Sequence, residues 1–300
     1  MNTYCFFVLF ASCMAAFGAE LYKDPAATPE QRTEDLLARM TLEEKVEQLA
    51  GRGMGASEFG DRTAKWFGTA SNERLGIPNL VMGHGITGVR SGRDTEVHST
   101  YMMTPIGVGA TWDVELYSRA SAAVAKEMVA LHQNLNLGTT LNIIRHPLGG
   151  RNWESFSEDP YLTARLGVEH VKAMQANGVI SGPKHFVANN QEHQRFNINN
   201  EVDERTLREI YLPAFKAAVV EGGALNIMGA YNRVNGTFMC EHSWLLTDVL
   251  RKEWGFKGFV LSDFSAGVRS TVPAAKSGMN IEMHSPKFYG KKMIQAVQDG

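Results

Sequence analysis

The chain has 300 residues, of which 44% are hydrophobic, 9% aromatic and 21% charged, a balance that excludes a disordered or collagen-like chain. Thirty Lys and Arg stand against 32 Asp and Glu, so a net charge of −2 offers neither a basic patch for nucleic acid nor an acidic tail. The length fits one large domain, and a (β/α) barrel reaches this size as a single unit.

Residues 4–17, YCFFVLFASCMAAF, form an apolar run followed by small residues. That run has the length of a signal-peptide core and is short for a membrane span. Residues 1–18 are therefore expected to be a signal peptide, with Ala16 and Gly18 before the cleavage point and the chain exported to the periplasm or outside. No Lys or Arg precedes the run, and Cys13 after small residues keeps a lipid anchor open as the other route to a membrane. Cys240 is then the only mature cysteine, so no intramolecular disulfide is expected.

Thr41-Leu42-Glu43-Glu44 has the pattern of a capping box opening a helix. Strand-like runs follow at 77–82, 105–110, 139–145, 179–187, 224–231, 258–263 and 279–283. Helical patterns fall near 113–132, 160–177, 203–221 and 243–254. Repeated alternation of strand and helix implies an α/β fold with a parallel sheet, which closes into a (β/α)8 barrel. An open doubly wound sheet is the other arrangement, and the absence of G-x-G-x-x-G removes its nucleotide-binding version. Arg145, His185, Tyr231 and Asp263 each end an apolar run. In a barrel such ends converge on one face, where active sites lie.

Four motifs carry the chemistry: GRNWESFSEDP at 150–160, KHFVANNQEHQR at 184–195, IMGAYNRVNG at 227–236 and LSDF at 261–264. Taken singly, Asp263 can cap a helix, Arg151 can pair with Glu154 or Asp159, and Arg195 with Glu192 or Glu201. Lys184 and His185 can be a satisfied strand-end pair, and Tyr231 can be core. With the opening segment LYKDPAATPEQRTEDLLARMTLEEKVEQL these motifs stand in one order. In that order the chain resembles glycoside hydrolase family 3, of the β-glucosidase type, from about Tyr22 to its last residue.

The resemblance implies a retaining, exo-acting β-glycosidase on a TIM-like barrel. Asp263 matches the nucleophile that forms a glycosyl-enzyme, with an oxocarbenium-like transition state. It must be ionised, and Lys184 or an arginine is expected to hold its pKa down. Arg151, Lys184 and His185 match positions that donate to sugar hydroxyls, and Arg195, Met228, Tyr231 and Arg269 match further residues around that sugar. Phe264 stands where a Trp usually follows the nucleophile, which keeps an apolar wall and loses an indole N–H. Glu154 and Glu158 match supporting carboxylates, with Glu192 the better outsider for a general acid. No H-E-x-x-H or Cys/His cluster suggests a metal, and no cofactor is expected. The expected partner is an oligosaccharide or glycoside.

Two departures from the family pattern matter. His84-Gly85-Ile86-Thr87-Gly88-Val89-Arg90 replaces the usual D-G-P-x-G-V/L-R. An imidazole offers one acceptor where a carboxylate accepts two hydroxyls, and losing a charge-assisted bond costs roughly 1.5–3 kcal/mol. A sugar other than plain glucose is the consequence, as in a β-xylosidase or arabinofuranosidase of the family. Second, residues 19–300 are expected to be a barrel truncated near its C-terminal end, without the α/β sandwich domain that carries the acid/base glutamate. The other branch of the family has its acid/base histidine in K-H-F-P-G-H-G, and this chain reads KHFVANN at 184–190. A non-catalytic carbohydrate-binding pseudoenzyme is the reading from another class, and the retained Asp263 opposes it.

Overall fold

A computed structural model of the chain describes residues 20–52, 67–89 and 98–300. The expected signal segment, with Cys5 and Cys13, lies outside the described residues, as does Arg90. Among the described residues no helix is long and apolar enough to cross a membrane.

The chain divides after Thr41. In the first unit, helix α1 (Pro29–Arg39) starts at a capping box: Gln31 N–H donates to Thr28 Oγ1 at 3.2 Å and Thr28 N–H to Gln31 Oε1 at 3.0 Å. Asp35 accepts from both Arg39 and the Tyr22 N–H.

The second unit, Leu42–Gly300, holds the sheet and the remaining helices. Its first helix is α2 (Leu42–Glu47), starting where the Thr41 pattern places it. Strands β1 (Gly51–Arg52), β2 (Phe67–Thr69), β3 (Val81–Gly83), β4 (Leu135–Asn136) and β5 (Ile180–Ser181) pair in that order. Then come β6 (Asn199–Asn200), β7 (Asn226–Gly229), β8 (Arg233–Val234), β9 (Thr237–Phe238) and β10 (Phe259–Ser262). β6, β8 and β9 form a small separate sheet.

The other strands close into a ring. β2 runs antiparallel to β1 and β3, while β3, β4 and β5 are parallel. Past β5, Met228 N–H donates to Pro183 O at 3.0 Å and Phe186 N–H to Met228 O at 2.7 Å, which joins β7. β7 pairs parallel with β10. Leu261 bridges Ile281, and Glu282 bridges Ala50 beside β1. The structure is an α/β barrel with one reversed strand.

Alternation along the strands separates inside from outside. Met228 and Leu261 cluster with Met82, Leu135, Leu137, Ile281 and Met283 within the ring. Their neighbours Ile227 and Val260 join the larger cluster under the helices, with Leu166, Val171, Phe215 and Leu245. Helices α3 (Pro105–Thr111), α4 (Val114–Ala130) and α5 (Pro160–Ala176) follow in the chain, and α5 packs against α4 and the helix Pro213–Val220. Two later helical segments, Leu207–Tyr211 and Trp244–Glu253, are wound as π-helix.

The run at 105–110 is helix α3, not a strand. Pro105 sits at its first position after extended Thr104, and Trp112 ends it at φ 58°. A short apolar run does not distinguish the two structures by periodicity. Gly109 lets this helix approach the chain closely, since a Cβ there would lie 2.1 Å from the Phe156 carbonyl oxygen. The 139–145 run pairs earlier than expected, in β4, with only a bridge from Thr140 to Lys184.

His170 ties α4, α5 and β4 together. Its Nδ1 lies 3.0 Å from Ser121 Oγ and its Nε2 3.3 Å from Asn136 Oδ1. Burial lowers its pKa from 6.5 to about 3. The unfolded chain takes up this proton first, so the contribution to stability is whole above about pH 6.5 and is lost as pH falls towards 3. Urea unfolding of His170→Gln between pH 4 and 6 should show a slope shallower than wild type by about 1.4 kcal/mol per pH unit. Equal slopes would contradict a neutral buried imidazole.

Candidate active site

Asp263 follows β10, and its N–H donates to Gly229 O at 2.9 Å, so the sheet register continues into the site. Its side chain is nearly buried, with 8% of the residue exposed. Oδ1 accepts the Phe264 N–H at 2.8 Å. Oδ2 has no hydrogen-bond partner among the described residues. It faces His185 Nε2 at 3.6 Å and Arg195 Nη2 at 3.9 Å. One oxygen is thus held by the backbone and the other is left towards basic groups.

Lys184 and His185 lie on the stretch between β5 and β7. Lys184 N–H donates to Thr139 O at 2.9 Å. Burial, then repulsion from Arg151, brings the Lys184 ammonium down to about 8. Asn142 clamps His185 from the neighbouring strand end: it donates to the His185 carbonyl at 3.0 Å, accepts its N–H at 2.8 Å and faces Nδ1 at 3.3 Å. On the other side Arg151 Nη1 lies 3.2 Å from Nε2. A guanidinium only donates, so Nε2 accepts and the proton sits on Nδ1. Burial and the cations Arg151 and Lys184 push this imidazole well below its usual range, which keeps it neutral. In this tautomer both ring nitrogens are engaged, Nδ1 towards Asn142 and Nε2 by Arg151.

Arg151 is held in a fork by Glu154, with Nε to Oε1 at 2.8 Å and Nη2 to Oε2 at 2.7 Å. The pairing reading of Arg151 is therefore met together with its place beside His185. Glu154 is buried, which opposes its charge, yet the bonds and charge of Arg151 keep its carboxyl below the ordinary value. Arg195 pairs with Glu192 and lies 4.8 Å from the centroid of the Tyr231 ring. The Tyr231 hydroxyl donates to the Phe264 carbonyl at 2.7 Å, which binds the end of β7 to the end of β10.

The sequence led to the expectation that cations hold Asp263 low. The direction is opposite: burial raises its pKa and outweighs the Phe264 N–H, Lys184, Tyr231 and Arg151. The desolvation of a nearly enclosed carboxylate is larger than the attraction of cations that do not hydrogen-bond to it.

The remaining expected residues divide into two groups. Met228 is in the barrel interior, paired with Leu261 two residues before Asp263. His84 follows β3 and lies within electrostatic reach of Glu154 and His185, so it stands beside the cluster. Phe264 meets Phe67 edge-on at 4.8 Å and stacks on His284 at 6.0 Å. Arg269 is placed elsewhere, donating to the Phe196 carbonyl and lying 4.7 Å from the Phe238 ring centroid. Arg145 does not join Asp263: its guanidinium lies 5.9 Å from the Tyr211 ring centroid and lines a different depression with His146 and Asn200.

Asn142 and His284 were missed. No motif marks Asn142, because its partner is 43 residues away. His284 had a signal, the strand-end rule applied to the run at 279–283. Among the described residues no group of three His, Cys, Asp or Glu could hold a metal ion.

The chain is similar to proteins of one family. The family profile described as glycosyl hydrolase family 3 N terminal domain matches residues 43–300. A β-glucosidase of Rhizobium radiobacter is 42% identical over 270 residues, 89% of this chain and 31% of that protein. Thermostable β-glucosidase B of Acetivibrio thermocellus is 40% identical, over 88% of this chain and 35% of that protein. Among solved structures, β-glucosidase 3B from Thermotoga neapolitana in complex with glucose superimposes with a TM-score of 0.84 at 35% identity. The match covers 89% of this chain and 39% of that one. The chain thus spans about a third of the length of these curated relatives.

The Arg151–Glu154 fork yields a stability test. Glu154→Ala strands a mostly enclosed guanidinium and should cost about 3 kcal/mol in urea unfolding. Glu158→Ala, on an exposed carboxylate, should change stability by less than about 0.5 kcal/mol.

Proposed function

The chain belongs to glycosyl hydrolase family 3, and from that premise we propose that its barrel is the catalytic domain of a retaining β-glycosidase acting through Asp263. The observation that carries this is the asymmetry of the Asp263 carboxylate. Oδ1 is fixed by the Phe264 N–H, and the unbonded Oδ2 faces His185 and Arg195. That oxygen attacks the anomeric carbon in line with the departing aglycone, and the glycosyl ester is then opened by water. Negative charge on Oδ2 also stabilises the oxocarbenium-like transition state.

The neighbouring groups bind and orient the sugar. The Lys184 ammonium is buried among the charges of Arg151, Glu154, Asp263 and Arg195, and that donor serves sugar hydroxyls. Arg151 donates from Nη1, since its other two nitrogens are engaged by Glu154. His185 holds the Arg151 guanidinium at Nε2 and so orients that donor. The raised pKa of Asp263 gives the reaction an acid limb, because the attacking form is the carboxylate. Glu154 is occupied by Arg151, and the proton for an unactivated leaving group is proposed to come from outside this set.

Trapping tests the nucleophile without needing that proton. A 2-deoxy-2-fluoro-β-glycosyl fluoride has a leaving group that departs unaided, and it should leave a covalent adduct on the peptide containing Asp263. Asp263→Asn should abolish the adduct. No adduct across gluco, xylo and arabino reagents would favour the carbohydrate-binding pseudoenzyme.

Sugar preference is proposed to follow from His84, which stands beside Glu154 and His185 where a carboxylate is usual in the family. A pentose, or a hexose lacking the far hydroxyl contacts, fits this site better than plain glucose. His84→Asp should raise the trapping rate with the gluco reagent by about ten- to a hundred-fold. No gain, or efficient wild-type turnover of an aryl glucoside, would overturn this preference.

A further inference from the structure

Glu192 has no part in the mechanism above, yet it touches two of its cations. Its side-chain stem lies on Gly150, whose φ is +88° and where a Cβ would lie 2.9 Å from both Cβ and Cγ of Glu192. The loop carrying Arg151 and the loop carrying Arg195 therefore interlock at this point. Oε2 of Glu192 is 2.7 Å from Arg195 Nε, and Oε1 is 3.7 Å from Arg151 Nη1. At their far ends, Arg195 Nη2 stops 3.9 Å from Asp263 Oδ2 and Arg151 Nη1 reaches His185 Nε2 at 3.2 Å.

Two carboxylates thus compete for one guanidinium. Arg195 makes a short ion pair with Glu192, not aligned as a hydrogen bond, and stops beyond hydrogen-bond range of Asp263. We propose that Glu192 is a positioning residue that restrains Arg195, so that Asp263 Oδ2 is left for the anomeric carbon and not captured in a closed ion pair. A charge-assisted bond from a guanidinium would make that oxygen a weaker nucleophile, because its lone pair would be engaged. Loop packing at Gly150 makes the restraint stiff. The inference rests on the hydrolase reading for its catalytic meaning, and on the contacts of Glu192 alone for the restraint.

The groups facing Asp263 are Lys184, His185, Arg151, Arg195 and Tyr231, with Cys240 also within its field. Those acting on Glu192 are Arg151, Arg195, Asp263 and Glu154. Removing the Glu192 charge withdraws a like charge from Asp263 and frees Arg195 to close on it. Both changes favour the ionised Asp263, so its titration moves down in pH.

The test compares wild type, Glu192→Gln and Glu192→Asp by two measurements. The first is ¹³C NMR titration of the Asp263 carboxyl without sugar, assigned by its loss in Asp263→Asn. The second is the trapping rate with a 2-deoxy-2-fluoro-β-glycosyl fluoride against pH. In Glu192→Gln the titration midpoint should fall by about one pH unit, with trapping at saturation about tenfold slower and its acid limb lowered with the midpoint. The half-saturating concentration should change little, and Glu192→Asp should restore most of the rate. The double variant with Arg195→Gln should show a smaller effect of Glu192→Gln, since the guanidinium it releases is gone. If Glu192→Gln does not fold, Glu192→Asp is read alone, with a shift in the same direction and smaller.

An unmoved or raised midpoint overturns the proposal. So does a loss that appears only with poor leaving groups, since that pattern makes Glu192 a proton donor. If no reagent labels the wild type, the hydrolase reading fails, while the carboxyl titration still judges the restraint.

Discussion

A carboxylate enclosed at the end of a barrel strand is the constraint around which the rest of the site is arranged. Burial opposes the charge of Asp263, and that cost must be met by charges and dipoles in fixed places. The backbone N–H of Phe264 meets one oxygen. Lys184, Arg151 and Arg195 supply positive charge around the other without bonding to it. Those cations need counter-charges of their own, and Glu154 and Glu192 provide them. Three acids and three bases interlock, and no member can be changed without altering the field on the rest.

The barrel makes this arrangement rigid. Asp263 N–H bonds to Gly229 O, and the Tyr231 hydroxyl reaches the Phe264 carbonyl, so two adjacent strand ends are tied at the height of Asp263. Asn142 ties a third strand end to His185 through both backbone and ring. The Tyr231 and Asn142 bonds come from side chains that replace the ladder where the strands splay. They also explain the neutral imidazole: a ring held between an amide oxygen and a guanidinium has one compatible tautomer.

Much of the site was legible because barrel geometry converts strand ends into a common face. His185, Tyr231 and Asp263 follow apolar runs, and the structure brings all three together. Arg145 obeys the same rule and is turned away, because position at a strand end does not state the direction of the side chain. Arg269 likewise carries the right charge close in sequence to Asp263 and is used by Phe196 and Phe238 instead. The strand expected at 105–110 failed for a related reason. Six apolar residues carry too little periodicity, and the contact that selects helix there is the approach of Gly109 to Phe156.

The amino-acid sequence by itself determined the α/β class, the order of the motifs and the position of Asp263 at the end of an apolar run. Each of these depends on residue type and local spacing, which are present in the chain before it folds. Only the tertiary structure decided the upward shift of Asp263, the tautomer of His185, the pairing of Arg151 with Glu154, and the place of Glu192 between two arginines. Those properties depend on distances between loops and on exclusion of water, and neither exists until the ring of strands has closed.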